Sequence, residues 1–359
     1  RALFHADNAY WYPAVRVNSQ PLFTNTVSNT AFRGFGGPQG VIAAERWIEH
    51  IAYTLGKDPL EIRKLNFYGT DTDNVTPYHQ AVEDNVVARV VEDLEQSSDY
   101  QKRRQEIIAF NRTHKVLKKG IALTPVKFGI SFTATWNNQA GALVHVYRDG
   151  SIHLSHGGTE MGQGLHIKIA QVVADAFGVP VGRVKINATN TGKVPNTAAT
   201  AASSGTDLNG MAALNAAEQI KARLIAHAAT LANVEPDAVV WEAGGVRAGT
   251  RYFSYDELVM SAYMSRVQLS AAGFYKTPKI HWDRSKGTGH PFYYFAYGAA
   301  CTEATIDTLT GEYQFDRADV LEDVGRSLNP AIDIGQVEGG YVQGVGWLTT
   351  EELWWDGKG

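Results

Sequence analysis

Cysteine is nearly absent from this chain, which has a single thiol, Cys301, among 359 residues. One cysteine cannot form a disulfide within the chain. It also cannot hold an iron–sulfur cluster alone, because such clusters need about four thiolates. So little cysteine is typical of a reducing compartment, and we expect a cytoplasmic protein.

Long hydrophobic runs and an excess of one charge are lacking as well. Lysine and arginine total 33 against 37 acidic residues, which gives a formal net charge of −4. No apolar run approaches the ~18 residues that a membrane span needs, and no basic stripe marks a nucleic-acid or membrane surface. We therefore expect neither nucleic acid nor membrane as a partner. The remaining composition, with 44% hydrophobic and 19% charged residues, is that of a globular protein long enough for two domains.

Three glycine-rich loops stand out, and each leads into a predicted helix. They cover residues 32–40, 156–164 and 201–207. Main-chain amides in such loops approach phosphates closely, and a helix N-terminus favours negative charge. For any one loop, an ordinary tight turn is the commoner explanation. None has the G-x-G-x-x-G or G-x-x-x-x-G-K-[ST] spacing, which disfavours a plain nucleotide-binding enzyme.

Several local signals predict helices, strands and a domain boundary. Gly56 is suited to end a helix, Asp58 to begin the next, and Ser254 with Glu257 forms a capping box. Residues 302–306 and 313–321 indicate a hairpin. A charged, helical stretch at 97–119 marks the boundary, giving domains at 1–110 and 111–359. Strands and helices do not alternate strictly, so the sequence predicts an α+β fold with mixed sheets.

The histidines do not form a recognisable metal site. None of the 11 lies in an H-E-x-x-H motif, and no C-x-x-C pair exists. His156 and His166 flank a glycine loop at a spacing that suits no standard zinc site, so we interpret them as packing or hydrogen-bonding residues. A metal delivered inside an organic cofactor would fit this sequence.

Long matching stretches resemble the xanthine dehydrogenase/oxidase branch of the molybdenum hydroxylases. They occur in the family's order, at residues 28–40, 127–133, 156–164, 200–203 with 207–210, and 329–339. The resemblance implies two molybdopterin-binding domains with the cofactor between them. Because the chain starts at Arg1 and stops just after an apolar segment, we expect an incomplete piece of that subunit.

The resemblance assigns four residues to the substrate. Arg33 matches the arginine that meets the purine oxygen and stabilises the transition state. Phe67 and Phe132 match two rings that hold a flat heteroaromatic between them, and Thr133 lies beside the second ring. Alone, Phe67 would be a core residue and Arg33 a structural hydrogen-bond donor, and only the joint match favours substrate roles.

The resemblance also assigns cofactor contacts. In this family the molybdenum is held by the pterin, with no protein ligand. The matching positions are Met161, Gly162, Gln163, Ala202, Ser203 and Gln336.

The chain departs from the family in several places. The catalytic base, a glutamate in a Gly-Glu-Pro-Pro-like segment, is absent, and the one Glu-Pro pair, Glu235-Pro236, lies in a different context. An upstream segment with a further glutamine and a purine-binding glutamate is also missing. Residues 232–251 resemble an insertion, and Gly205 stands where some members have serine. We therefore expect this chain to be inactive alone.

The resemblance implies a complete enzyme that hydroxylates hypoxanthine and xanthine to urate, with water as oxygen source. Electrons would pass through 2Fe-2S clusters and FAD to NAD, all on other domains or subunits of an oligomer. Partners would be the purine, the rest of the molybdenum subunit and the FAD/iron–sulfur part. An aldehyde oxidase-like hydroxylase and a non-catalytic cofactor-binding fragment remain alternatives.

Overall fold

A computed structural model describes residues 1–26, 31–194 and 196–358. The start of the first matching stretch, residues 28–30, lies outside the described residues. The helices are α1 Gly37–Leu55, α2 Pro59–Leu65, α3 Val87–Ser97, α4 Tyr100–Thr113, α5 Leu165–Phe177, α6 Gly205–Ala232, α7 Tyr255–Met264 and α8 Pro330–Thr349. The strands are β1 Leu117–Ile130, β2 Gln139–Val146, β3 Ile152–His156, β4 Val184–Ile186, β5 Val239–Glu242, β6 Gly245–Ala248, β7 Arg251–Ser254, β8 Ser270–Lys276, β9 His281–Asp283, β10 Thr288–His290, β11 Tyr294–Asp307 and β12 Tyr313–Asp323.

The chain forms two compact units. The first comprises Arg1–Thr133, Ile280–Ser327 and Asp333–Gly359, and the second comprises Ala134–Lys279 and Leu328–Ile332. This mixture of helices and open sheets confirms the α+β prediction. No helix in the described part of the chain is long and apolar enough to cross a membrane.

The first unit is organised by an antiparallel sheet in the order β1-β11-β12. Strands β1 and β11 pair from Leu117↔Asp307 to Ile130↔Tyr294 without a break in register. Helices α3 and α4 pack against these strands. Their contact buries a core that includes Val91, Leu94, Leu123, Phe292 and Cys301.

A second buried layer in this unit joins α1 to α2. Ala44, Ile48 and Ala52 of α1 pack around Tyr10, since residues four apart lie on one face of a helix. Glu45, on the same helix, forms a buried ion pair with Arg63 at 2.7 Å. A buried pair of this kind holds α1 and α2 in one arrangement, because either charge left alone would be costly.

The second unit is built on a four-stranded sheet in the order β4-β3-β2-β8. Strands β3 and β4 are parallel and are joined through α5, which makes a β-α-β unit. Helix α6 lies directly on β8, since a Cβ on Gly273 would stand 2.0 Å from the Ala212 carbonyl oxygen. The small alanine side chains of α6 allow this close approach. The unit also contains a smaller sheet in the order β5-β6-β7.

Several local predictions are confirmed. Gly56 ends α1 in the left-handed conformation, and the Asp58 side chain accepts the Leu60 N–H at the start of α2. The capping box of Ser254 and Glu257 is present at α7, and the predicted hairpin is formed by β11 and β12.

The helical interpretation of residues 97–119 is wrong at its end. Helix α4 stops at Thr113, and Lys118 and Lys119 belong to β1, where they pair with Ile306 and Thr305. β1 is an edge strand of its sheet, and edge strands commonly carry lysines that discourage further pairing. Charge alone therefore did not distinguish the helix from the strand that follows it.

The predicted domain boundary near residue 110 stays a prediction about the family's domains. Compact packing divides the chain along another line, because the long pairing of β1 with β11 keeps residues 117–130 with the N-terminal helices.

Candidate functional site

The loop before α1 carries Arg33 and depends on glycine for close packing. Gly34 and Gly36 have φ values of +95° and +88°, which are unfavourable for other residues. A Cβ on Gly37 would lie 2.3 Å from the ring of Phe128, on β1. Gly37 thus lets an aromatic ring of β1 lie on the loop, so packing accounts for this glycine.

Arg33 is exposed and bonded to a second predicted site residue. Its Nη2 donates to the side-chain Oε1 of Gln336 at 2.8 Å and to the main-chain oxygen of Gln336 at 3.2 Å. The guanidinium carbon also lies 3.7 Å from where a Cβ on Gly340 would stand. A substrate candidate and a cofactor candidate, far apart in sequence, therefore meet at the first turns of α8.

Phe132 and Thr133 are separated from the end of β1 by Ser131, a residue with a constrained backbone. Ser131 is buried and has φ +151°, a region that residues other than glycine rarely adopt. Its Oγ accepts the Tyr293 N–H at 3.2 Å. Holding such a conformation costs about 1–3 kcal/mol and is typical of functional sites. The direction in which the chain presents Phe132 is therefore imposed by its surroundings.

Arg1 contributes to this constraint. Its guanidinium donates to the main-chain oxygens of Ser131 at 2.8 Å and Gly129 at 3.0 Å. The same group lies over the rings of Phe128 and Phe292, at 5.4 Å and 4.9 Å from their centroids. Burial lowers the pKa of Arg1 to about 10, so the group remains a cation at neutral pH.

Phe67 is half-buried and packs on the core of the first unit. Its ring is stacked on Tyr10 with centroids 6.1 Å apart and an interplanar angle of 14°. Tyr10 in turn donates its hydroxyl hydrogen to Glu45. This packing is the core role that the residue alone suggested, and the substrate role of Phe67 stays a prediction.

In the second unit, the loop at residues 157–164 is closed by its own side chains. Glu160 Oε1 accepts the N–H groups of Gly162 and Gly164, each at 2.9 Å, and Oε2 accepts the His166 N–H at 3.0 Å. Burial tends to raise the pKa of Glu160, but these N–H groups outweigh it and bring the pKa below its usual range. The negative charge that this helix N-terminus favours is therefore supplied by the loop itself.

Gln163 also forms hydrogen bonds within this loop. Its Oε1 accepts the Met161 N–H at 2.6 Å, and its Nε2 donates to the Thr159 oxygen at 2.9 Å. A side-chain amide has two N–H groups and two lone pairs. These two bonds use one of each.

The second candidate loop of this unit lies beside the first. The Thr159 N–H donates to Thr200 Oγ1 at 2.8 Å, and a Cβ on Gly205 would contact Leu165 and Thr200 at 3.5 Å. The structure thus brings the loop carrying Met161, Gly162 and Gln163 next to the loop carrying Ala202 and Ser203.

Ala202 and Ser203 have unusual backbone conformations. Both are left-handed, with φ values of +57° and +58°. A Cβ in this region costs roughly 1–2 kcal/mol per residue. Two consecutive strained residues at the start of α6 favour a functional reason for the loop.

His156 and His166 take the packing role predicted for them. His156 is buried, and its Nδ1 accepts the Gly158 N–H at 3.1 Å, which places the ring proton on Nε2. His166 meets it edge-on, with ring centroids 4.9 Å apart. Burial, and then His166, lowers the pKa of His156 to about 4. Among the described residues, no group of three or more His, Cys, Asp or Glu could hold a metal ion.

Sequence reasoning missed Glu160, Ser131 and Arg1. Glu160 had a signal, because an acidic residue just ahead of a helix that starts after a glycine is a candidate cap. Ser131 and Arg1 had none, since their constraint comes from residues distant in sequence.

Two family models match the chain. Both are described as a molybdopterin cofactor-binding domain, one over residues 1–67 and the other over residues 93–359.

Curated relatives match nearly the whole chain. The xanthine dehydrogenase of Oryza sativa subsp. japonica is 48% identical over 99% of this chain and 24% of its own length. That of Dictyostelium discoideum is 49% identical over 98% of this chain and 25% of its own length. The chain thus spans about a quarter of the relatives it matches.

A solved structure shares the fold. The aldehyde oxidoreductase from Desulfovibrio gigas has a TM-score of 0.78 and 25% identity, over 96% of this chain and 35% of that chain. The arrangement of helices and sheets in this chain is therefore shared with that oxidoreductase.

Proposed function

Since the chain belongs to the molybdopterin cofactor-binding domain family, we propose that it is the molybdopterin-binding part of a xanthine dehydrogenase. The complete enzyme would hydroxylate hypoxanthine and xanthine to urate, with water as oxygen source and NAD as electron acceptor, in the cytoplasm. The observation that carries the proposal is the identity of 48–49% to xanthine dehydrogenases over almost the whole chain.

The second unit offers groups that suit a pterin cofactor. Two linked loops present Gln163 with one N–H and one lone pair beyond its bonds within the loop, and the strained pair Ala202-Ser203. Amide donors and acceptors of this kind match the edge of a pterin. By the resemblance, Gln336 is proposed as a further amide contact of the cofactor.

The bound cofactor would supply the two-electron oxidation, while residues of this chain would bind and orient the purine. Phe132 and Thr133, held by the constrained Ser131, would contact the flat ring. Phe67 would provide the second ring, and offset stacking adds about 0.5–1.5 kcal/mol beyond area burial. Arg33 would stabilise negative charge on the purine oxygen in the transition state, a fixed electrostatic effect.

Gln336 supports this role of Arg33. Two hydrogen bonds donated by one guanidinium nitrogen to Gln336 hold the group in place before substrate arrives. Preorganised charge of this kind is effective because it does not reorganise during the reaction.

Other steps would depend on segments outside this chain. The catalytic glutamate would come from the rest of the molybdenum subunit. Cys301 is buried beside Arg103, so 2Fe-2S clusters, and with them FAD and NAD, would belong to other domains or subunits of an oligomer. Exposed apolar residues on helix α8 support the proposal that a further segment or subunit covers this helix. The described part of the first unit leaves Ile334, Val342 and Leu348 largely exposed.

The proposal is tested by purifying the complete protein and measuring molybdenum and pterin per protomer. About one of each is expected. A protein that folds fully without either, when expressed with an intact cofactor supply, would exclude the proposed function.

A further inference from the structure

Glu160 has a position that no cofactor role explains. Its carboxylate gathers the N–H groups of Gly162, Gly164 and His166, at 2.9, 2.9 and 3.0 Å. Helix α5 starts after Gly164, which has no side chain to cap it. Glu160 therefore satisfies amides that would otherwise lack partners at a helix start, and its charge opposes the positive end of the helix dipole.

The same bonds fix the residues between Thr159 and Gly164. Glu160 accepts hydrogen bonds from Gly162 and Gly164. Gln163 forms hydrogen bonds with Met161 and Thr159. Two sets of hydrogen bonds thus share one short loop. Gly162 and Gly164 have left-handed conformations, with φ +95° and +72°. If Glu160 were removed, both would lose a hydrogen bond that holds this conformation. The side chain of Gln163, which lies between them, would then no longer be held in one direction.

The anchored loop also connects to its neighbour. Thr159 donates to Thr200 on the adjoining loop at 2.8 Å. A shift at Glu160 would therefore be transmitted to the segment that leads to Ala202 and Ser203.

We propose that Glu160 is a positioning residue that holds the loop at 159–164 in the one conformation that presents Gln163 to the pterin cofactor. This inference rests on the proposed function. The role assigned to Glu160 is indirect, because its carboxylate already accepts three N–H groups of its own loop and its charge would repel an anionic group. The N-terminus of α5 accordingly already has an acidic group supplied by the chain itself.

The test compares Glu160→Gln with a matched control, Glu257→Gln, in the complete protein. Glu257 is also an exposed carboxylate that caps a helix of the second unit, in the capping box with Ser254. Glu160→Gln keeps the size of the side chain but loses the charge and places an N–H against N–H donors. Hydrogen exchange followed by mass spectrometry should show about tenfold or faster exchange in the peptide covering 160–166.

Cofactor retention separates a positioning role from a general loss of stability. After desalting, Glu160→Gln should retain the molybdenum cofactor about tenfold less well, the effect typical of groups that orient ligands. Glu257→Gln should speed exchange only near residues 254–258 and keep the wild-type molybdenum content. Equal cofactor losses in both variants would overturn the proposal.

A double-mutant cycle tests the route through Gln163. In a Gln163→Ala background, Glu160→Gln should cause little further loss of molybdenum, because the side chain it positions is gone. An undiminished effect in that background would contradict the proposal. Unchanged exchange at 160–166 would overturn the positioning role alone, whereas a wild-type protein without molybdenum would overturn the proposed function.

Discussion

Arg33 and Gln336 are joined by two hydrogen bonds from a single guanidinium nitrogen, at 2.8 and 3.2 Å. The first residue is a predicted substrate contact and the second a predicted cofactor contact. A change at either position should therefore affect both predicted contacts. Experiments on Arg33 must therefore be normalised to cofactor content.

Replacing Arg33 with Met should depress xanthine turnover far more than turnover of benzaldehyde. Purine oxidation builds negative charge that a ring oxygen can share with the guanidinium, whereas an aldehyde has no such distant oxygen. Loss of one charge-stabilising donor typically costs about 2.7–4 kcal/mol in the transition state, or roughly 10²–10³ in rate. The measurement is kcat/KM for both substrates in the complete enzyme, per bound molybdenum.

The control for this experiment is Arg46→Met. Arg46 is an exposed arginine of α1, and it pairs with Glu49 one turn away; surface substitutions of this kind have small effects. Equal fractional losses for xanthine and benzaldehyde in Arg33→Met would indicate that Arg33 only braces its loop and Gln336.

Gly37→Ala should displace the Arg33 loop. The added methyl would lie 2.3 Å from the Phe128 ring, and overpacking of this kind typically costs about 1–3 kcal/mol. Thermal unfolding of the complete protein should show a lower Tm, with a loss of xanthine turnover. Gly120→Ala is the matched control, since its methyl would meet nothing within 4 Å. Wild-type stability in Gly37→Ala would contradict the close packing of Gly37 on Phe128.

The stability of the protein should depend on pH through His156. Its pKa is lowered from 6.5 to about 4 in the folded state, so the unfolded chain binds a proton first as pH falls. The stabilisation is complete above pH 6.5 and is lost as pH falls towards 4, by about 3 kcal/mol in total.

His156→Asn removes this titration while leaving an oxygen that can accept the Gly158 N–H. Urea unfolding between pH 7 and 4 should then show a shallower pH dependence than wild type. Superimposable pH profiles for the two proteins would rule out a neutral, buried His156.

The isolated 359-residue chain should not oxidise xanthine at a rate close to that of the complete enzyme. A positioned general base contributes roughly 10²–10⁴ in rate, and the family's base segment is not among these residues. Urate formation is measured for the chain and for the complete protein at equal molybdenum content. Comparable rates would show that a residue of this chain acts as the base.

Short-range features could be predicted from sequence because their causes are local. Gly56, Asp58 and the Ser254–Glu257 capping box act on amides within a few residues. The end of α4 was misjudged, because Lys118 and Lys119 are placed in β1 by pairing with β11, far along the chain.

The sequence predicted which residues belong to the candidate site but not how they contact one another. Resemblance selected Arg33 and Gln336, but their hydrogen bonds join positions 303 residues apart. The backbone of Ser131 is set by Arg1 and Tyr293, and no local pattern specifies such a constraint. That Gln336 and the loop at 157–164 bind one cofactor stays a prediction.

The proposed xanthine dehydrogenase function is tested by urate production from xanthine by the complete protein, measured per bound molybdenum with NAD as the acceptor. We expect steady urate formation that stops when the molybdenum cofactor is removed. A protein with full molybdenum content that oxidises benzaldehyde but forms no urate would contradict it and favour an aldehyde oxidase-like enzyme.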